Sequence, residues 1–115
     1  MAKLLLFDVD DTLIATGGAG RRAMRRAFSE TFDLDVAAGA LAIPGRTDRL
    51  VVHEVVTSAG RPAPDDKACE ASAEHYIACL RQELQAPAPP TAGIKPGVER
   101  LLDALRHVRT CVWPC

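Results

Sequence analysis

An apolar run that ends in two closely spaced carboxylates most constrains what this chain can fold into. Residues 4–7 are apolar, and Asp8, Asp10 and Thr12 follow them at every second position. Because successive side chains of an extended strand alternate between its two faces, these three are expected on one side at the carboxyl end of a buried strand. Ligands of α/β proteins bind at such strand ends. The pattern therefore predicts an α/β fold with a candidate site here.

The same two carboxylates need a counter-charge. Two acids held this close do not both stay ionised without a counter-charge, so a divalent cation or a shared proton is expected at Asp8 and Asp10. The alternative is an acidic turn that faces solvent and binds nothing. The apolar run ahead of the pair favours the metal site.

Residues 7–13, Phe-Asp-Val-Asp-Asp-Thr-Leu, resemble the first motif, Asp-x-Asp-x-Thr, of the haloacid dehalogenase-like hydrolases. The resemblance implies that Asp8 is the nucleophile on a phosphate ester and that Asp10 is the general acid and base. It also implies Mg²⁺ bound by the Asp8 carboxylate and the Asp10 carbonyl. Asp10 and Thr12 favour phosphate esters over dehalogenase chemistry, and Thr12 is expected to help bind the substrate. Asp11 stands where the family often has glycine.

A second segment, residues 43–48 (Ile-Pro-Gly-Arg-Thr-Asp), carries groups that bind anions. Pro-Gly makes a turn, and Thr47 or Asp48 can cap the helix that follows. In the phosphoglycolate phosphatase-like branch of the family, a similar stretch lies in a cap and faces the active site. The resemblance therefore makes Gly45, Arg46 and Thr47 the candidates for substrate specificity. Turn and cap chemistry without a ligand is the alternative.

The resemblance implies the N-terminal part of a Rossmannoid α/β core with an inserted α-helical cap, mostly helical because most of the core sheet is missing. Residues 1–16 are expected to form the first core strand and nucleophile loop, 17–86 the helical cap, and 87–115 a linker, the returning core helix and the start of a second strand. Apolar periodicity and capping residues predict four helices. They are expected at about 21–32, 48–59, 66–84 and from 96 onward.

The resemblance breaks after the returning helix. The family continues with a second strand ending in Ser or Thr, a cation for the phosphate and a further acidic pair. Residues 110–113 could only begin that strand, and Lys95 precedes the helix, so the phosphate-binding role is not transferred to it. We therefore expect a truncated or frame-disrupted chain with weak or absent turnover. Phosphoglycolate, a sugar phosphate and a nucleotide monophosphate stay open as substrates.

Two other functions are also compatible with this sequence. One is a non-catalytic interaction fragment that binds a partner, or a second copy of itself, through apolar faces of the cap helices. The other is a phosphoacceptor module in which the acidic cluster is phosphorylated for signalling, which the inserted cap region disfavours. A dinucleotide-binding turn at Gly18, Gly20 and Ala23 is also disfavoured, because the acidic motif separates it from the preceding strand.

Composition limits the partners and the compartment. A net charge of −1 and a hydrophobic fraction of 48% give no basic excess for nucleic acid or an anionic membrane. The resemblance implies a small phosphorylated metabolite as the partner. There is no long apolar run and no signal-peptide pattern, which predicts a cytoplasmic location. Zinc sets could be drawn from His75 with Cys79, or from His107, Cys111 and Cys115. Buried packing of reduced cysteines is favoured.

Overall fold

Four helices and a two-stranded antiparallel sheet form the described part of this protein. The computed structural model describes residues 4–41 and 47–108. The elements are β1 (Ile14–Thr16), α1 (Ala19–Phe32), a short 3₁₀ helix (Ala38–Leu41), α2 (Asp48–Ser58), α3 (Asp66–Gln85), β2 (Ala92–Ile94) and α4 (Val98–Arg106). The α/β class is confirmed, whereas the Rossmannoid core and the inserted cap stay predictions.

The chain divides into two compact units. One, which we call the ribbon unit, is Met1–Gly17 with Ala88–Cys115, and the other, the helical unit, is Gly18–Pro87. The ribbon unit holds β1, β2 and α4, and the helical unit holds α1 to α3 with the 3₁₀ helix. In the described part, no helix is both long and apolar enough to cross a membrane.

The helical unit is built around the packing of α1 on α3. Ala19, Ala23 and Ala27 recur at every fourth position of α1 and are buried, so this face is a ridge of small side chains. Phe28 on the same helix is fully buried in the hydrophobic core. That core consists of Phe28, Val36, Val51, Val52, Val56 and Cys69. Met24 and Phe32 pack against it. The spacing of apolar residues in the sequence predicts one face of α1 made of Met24, Ala27, Phe28 and Phe32, and this is confirmed.

Helix α3 begins where its sequence predicts. The Asp65 carboxylate accepts a hydrogen bond of 2.8 Å from the Ala68 amide and so satisfies one free donor of the first turn. Its buried residues are Cys69, Ser72 and Cys79. The spacing of apolar residues in the sequence predicts a buried stripe made of Cys69, Ala73, Tyr76, Ile77, Leu80 and Leu84. This prediction is wrong in part, because Ile77 and Leu84 are exposed. The buried positions follow a spacing of three and then seven residues along the face that meets α1.

The ribbon unit contains the sheet. Strands β1 and β2 pair antiparallel, with Ile14 opposite Ile94 and Thr16 opposite Ala92. Gly17 follows β1 in the left-handed region at φ +62, and a Cβ at this position would lie 2.2 Å from the Pro89 Cγ. Glycine is therefore required by backbone conformation and by the close approach of the two chain segments.

The buried strand predicted at residues 4–7 is wrong. The structure has no strand there, and the side chains of Leu4 and Leu6 are 81% and 83% exposed. A strand that is apolar on both faces needs hydrogen-bonded neighbours and covering helices. Residues 4–7 lack such a neighbour in the described part, because β2 pairs with β1, which comes after the acidic motif.

Candidate functional site

The acidic motif forms a tight loop that closes onto the start of β1. The Val9 carbonyl accepts hydrogen bonds from the amides of Leu13 (2.9 Å) and Ile14 (3.1 Å). The Asp11 amide donates in return to the Ile14 carbonyl at 2.8 Å. The loop closes this sharply because Asp11 adopts the left-handed conformation at φ +60, which Asp tolerates better than most residues other than glycine. The motif is thus a loop ahead of a strand and not the end of one.

Asp8 and Thr12 meet across this loop. The Thr12 hydroxyl donates a hydrogen bond to Asp8 Oδ2 over 3.1 Å, and both residues are exposed. This contact orients the carboxylate and leaves Asp8 Oδ1 accessible to a ligand. The Asp10 carboxylate is exposed and has no hydrogen-bond or ion-pair partner among residues 4–41 and 47–108. The two acids predicted from the sequence are therefore both accessible on one short loop.

Lys95 brings a cation to the loop from the other strand. It directly follows β2, and its amide donates to the Leu13 carbonyl at 2.9 Å. Its ammonium lies 2.8 Å from Asp11 Oδ1. The sequence analysis considered Lys95 and gave it no role at the site, and it missed the contact with the loop because it treated the segment around β2 as linker. The signal that could have found it is the β-prone Gly-Ile-Lys stretch, but nothing local indicates its pairing with β1.

The electrostatic balance of the loop is negative. Three carboxylates, on Asp8, Asp10 and Asp11, are accompanied in the described part by the single ammonium of Lys95. The Lys95 and Asp11 side chains are 37% and 85% exposed, so their ion pair is worth about 0–1 kcal/mol. An exposed excess of carboxylates favours a hard cation over a free anion. A phosphate would therefore bind here best together with a divalent metal ion.

The loop offers few oxygen donors to a cation. In the described part, no group of three or more Asp, Glu, His or Cys side chains is arranged to hold a metal ion. Mg²⁺ commonly takes one or two carboxylates, with water and substrate phosphate completing its octahedral shell. Asp8 and Asp10 are exposed and carry oxygen donors, and magnesium binding at this loop stays a prediction.

The predicted specificity residues lie elsewhere in the chain. Thr47 belongs to the helical unit, where it is exposed and precedes α2, but its side chain makes no capping hydrogen bond. Gly45 and Arg46 lie outside the described residues. The specificity prediction for these three therefore stays a prediction, while the position of Thr47 as the N-cap residue is confirmed.

The arginines of α1 are used in helix pairing. Arg22 contacts Glu83 of α3 at 2.7 Å, and Arg26 contacts Gln82 at 2.9 Å. Arg26 also lies 3.8 Å from Glu83, a carboxylate that is largely buried. These contacts tie α1 to α3 along their shared length. Arg22 and Arg26 thus both contact residues of α3.

His75 and Cys79 have separate partners on α1. His75 Nδ1 lies 2.8 Å from the Thr31 hydroxyl. The buried Cys79 thiol lies 3.9 Å from Glu30 Oε2, and burial raises the pKa of this thiol, with Glu30 adding to the increase and Arg26 opposing it. A raised pKa keeps the sulfur protonated, which disfavours metal ligation. Buried packing of Cys79 is therefore confirmed; Cys111 and Cys115 lie outside the described residues.

The acidic loop is an open surface site. Two surface cavities of about 280 and 180 Å³ are lined by residues of the helical unit, and Asp8, Asp10 and Thr12 line neither. The loop is the candidate site because of its exposed carboxylates and not because of a cavity. Comparisons of the chain with protein-family models, curated proteins and solved structures found no match.

Proposed function

We propose that this chain is a magnesium-dependent phosphate monoester hydrolase of the haloacid dehalogenase-like type, acting on a small phosphorylated metabolite. Asp8 is the nucleophile and Asp10 the general acid and base. The observation that carries the proposal is the Thr12–Asp8 hydrogen bond, which leaves one oxygen of an exposed carboxylate directed by its neighbour and unoccupied. The Asp-x-Asp-x-Thr sequence places the proton-transfer group Asp10 between them.

The proposed reaction has two steps. In the first, Asp8 Oδ1 attacks phosphorus, the ester P–O bond breaks, and the protonated Asp10 gives its proton to the departing alkoxide. In the second, Asp10 takes a proton from water as the water oxygen attacks the aspartyl phosphate. The bond from phosphorus to Asp8 then breaks, which releases inorganic phosphate and restores both carboxyl groups.

Magnesium would supply charge neutralisation at the nonbridging phosphate oxygens. Asp8 and Asp10 are the residues that would hold it. Asp8 thereby combines two requirements, because one oxygen must be free to attack while the carboxylate stays oriented. The Thr12 hydroxyl meets the second requirement, since it fixes Asp8 Oδ2 without adding charge.

Weak turnover is part of the proposal. The described part of the chain presents one cation near the loop and one exposed carboxylate, that of Asp8, for the metal, because the Asp10 carboxyl must carry the proton. Phosphoryl transfer depends almost entirely on positioning and on charge stabilisation. An exposed site with few charged groups, surrounded by water, stabilises a transition state less than an enclosed one does.

Hydrolysis of an aryl phosphate with and without Mg²⁺ tests the function. We expect slow, magnesium-dependent release that Asp8→Asn abolishes, because the amide is not a nucleophile. Asp10→Asn should reduce turnover strongly and Thr12→Val more mildly. Asp35→Asn, which changes an exposed acid of the helical unit, is the matched control. Turnover that survives Asp8→Asn would remove the basis of the nucleophile assignment.

A second candidate function is self-association through apolar surface. Of the eleven large apolar side chains that are exposed among residues 4–41 and 47–108, eight belong to the ribbon unit. They are Leu4, Leu5, Leu6, Val9, Ile14, Ile94, Leu101 and Val108. The interaction surface expected from the sequence lay on the cap helices, whereas most of these exposed side chains belong to the ribbon unit. Exposed apolar side chains gathered into a patch commonly mark an interaction site.

The mass of the chain in solution, measured across a concentration series, tests self-association. Leu6→Glu should shift the distribution toward monomer. Ile77→Glu introduces the same charge at an exposed position of the helical unit and should have little effect. A monomer at all concentrations would exclude a second copy as the partner.

A further inference from the structure

We draw no further inference here: the strongest candidate, the cavity of about 180 Å³ lined by Met24, Val52 and the buried Ser72 of the helical unit, is also lined by Asp48 and Arg49, which directly follow the predicted specificity residues 45–47, so a ligand bound there restates the substrate binding that the resemblance already implies.

Discussion

Replacing Gly17 with alanine tests how the ribbon that carries Lys95 is held together. Gly17 has φ +62, and an added Cβ would lie 2.2 Å from Pro89 Cγ and 3.1 Å from Pro89 Cδ. Real Cβ atoms do not approach other atoms at the shorter distance, and a proline ring cannot rotate away. The backbone must shift at the point where the segments that form β1 and β2 come together.

The cost has two parts. A left-handed conformation costs a residue with a Cβ about 1–2 kcal/mol, and overpacking against a rigid neighbour adds about 1–3 kcal/mol. Gly97→Ala is the matched control in the same unit, because Gly97 has φ +81 and its added Cβ would meet nothing within 4 Å. The loss of chain entropy in the unfolded state is similar for both variants and cancels in the comparison. Gly17→Ala should therefore cost about 1–3 kcal/mol more than Gly97→Ala.

Hydrogen exchange of the Lys95 amide measures this cost where it arises. That amide is bonded to the Leu13 carbonyl and becomes exposed when the ribbon opens, so its exchange rate reports the opening free energy. Gly17→Ala should exchange about 10-fold faster than Gly97→Ala, since tenfold corresponds to about 1.4 kcal/mol. Adding Pro89→Ala should bring the Gly17→Ala variant back to the control. Equal exchange in the two alanine variants, or no recovery with Pro89→Ala, would refute the steric argument.

Two further predictions concern the helical unit. Asp65→Ala should lower the free energy of unfolding by about 1 kcal/mol, because the Ala68 amide loses its acceptor. Thr47→Ala, at a cap without a side-chain hydrogen bond, should lower it by less than half as much. Urea titrations followed by circular dichroism measure both. Burial raises the pKa of Cys79 above its ordinary value of 9.0, so its stabilising contribution is complete below about pH 9 and is lost as pH rises toward the folded-state pKa. Cys79→Ala should therefore show a smaller decline in melting temperature between pH 8 and 10, and an equal decline in both proteins would contradict this assignment.

The helices could be predicted because their signals are local. Asp65 caps α3 through a bond to an amide three residues away, and the predicted helix from 66 agrees with Asp66–Gln85. The apolar face of α1 followed from the spacing of residues such as Phe28. The buried face of α3 was only partly predictable, because the position of α1 decides that Ser72 is buried and Ile77 exposed.

The strands were predicted wrongly because the pairing that forms them joins residues far apart in the sequence. Residues 4–7 are apolar enough for a buried strand, but a strand forms only where another pairs with it. The described partner, β2, pairs with Ile14–Thr16 after the motif, and its own sequence was assigned to a linker. The Thr12–Asp8 contact spans four residues but was not predicted, because an extended strand would hold these residues about 13 Å apart and only the loop brings them together. The Lys95 contact depends on the non-local pairing of β1 with β2 and did not show in the sequence.

The conformation of the acidic loop therefore depends on the pairing of β1 with β2. On its N-terminal side the loop follows exposed backbone at residues 4–7, and its own amides bond back to Val9. On its C-terminal side it continues into β1, which is paired with β2. A change that opens the ribbon should thus release Asp8 and withdraw Lys95 together, although it touches neither. If Gly17→Ala lowers the magnesium-dependent hydrolysis of an aryl phosphate and Gly97→Ala does not, the loop depends on the ribbon for its geometry.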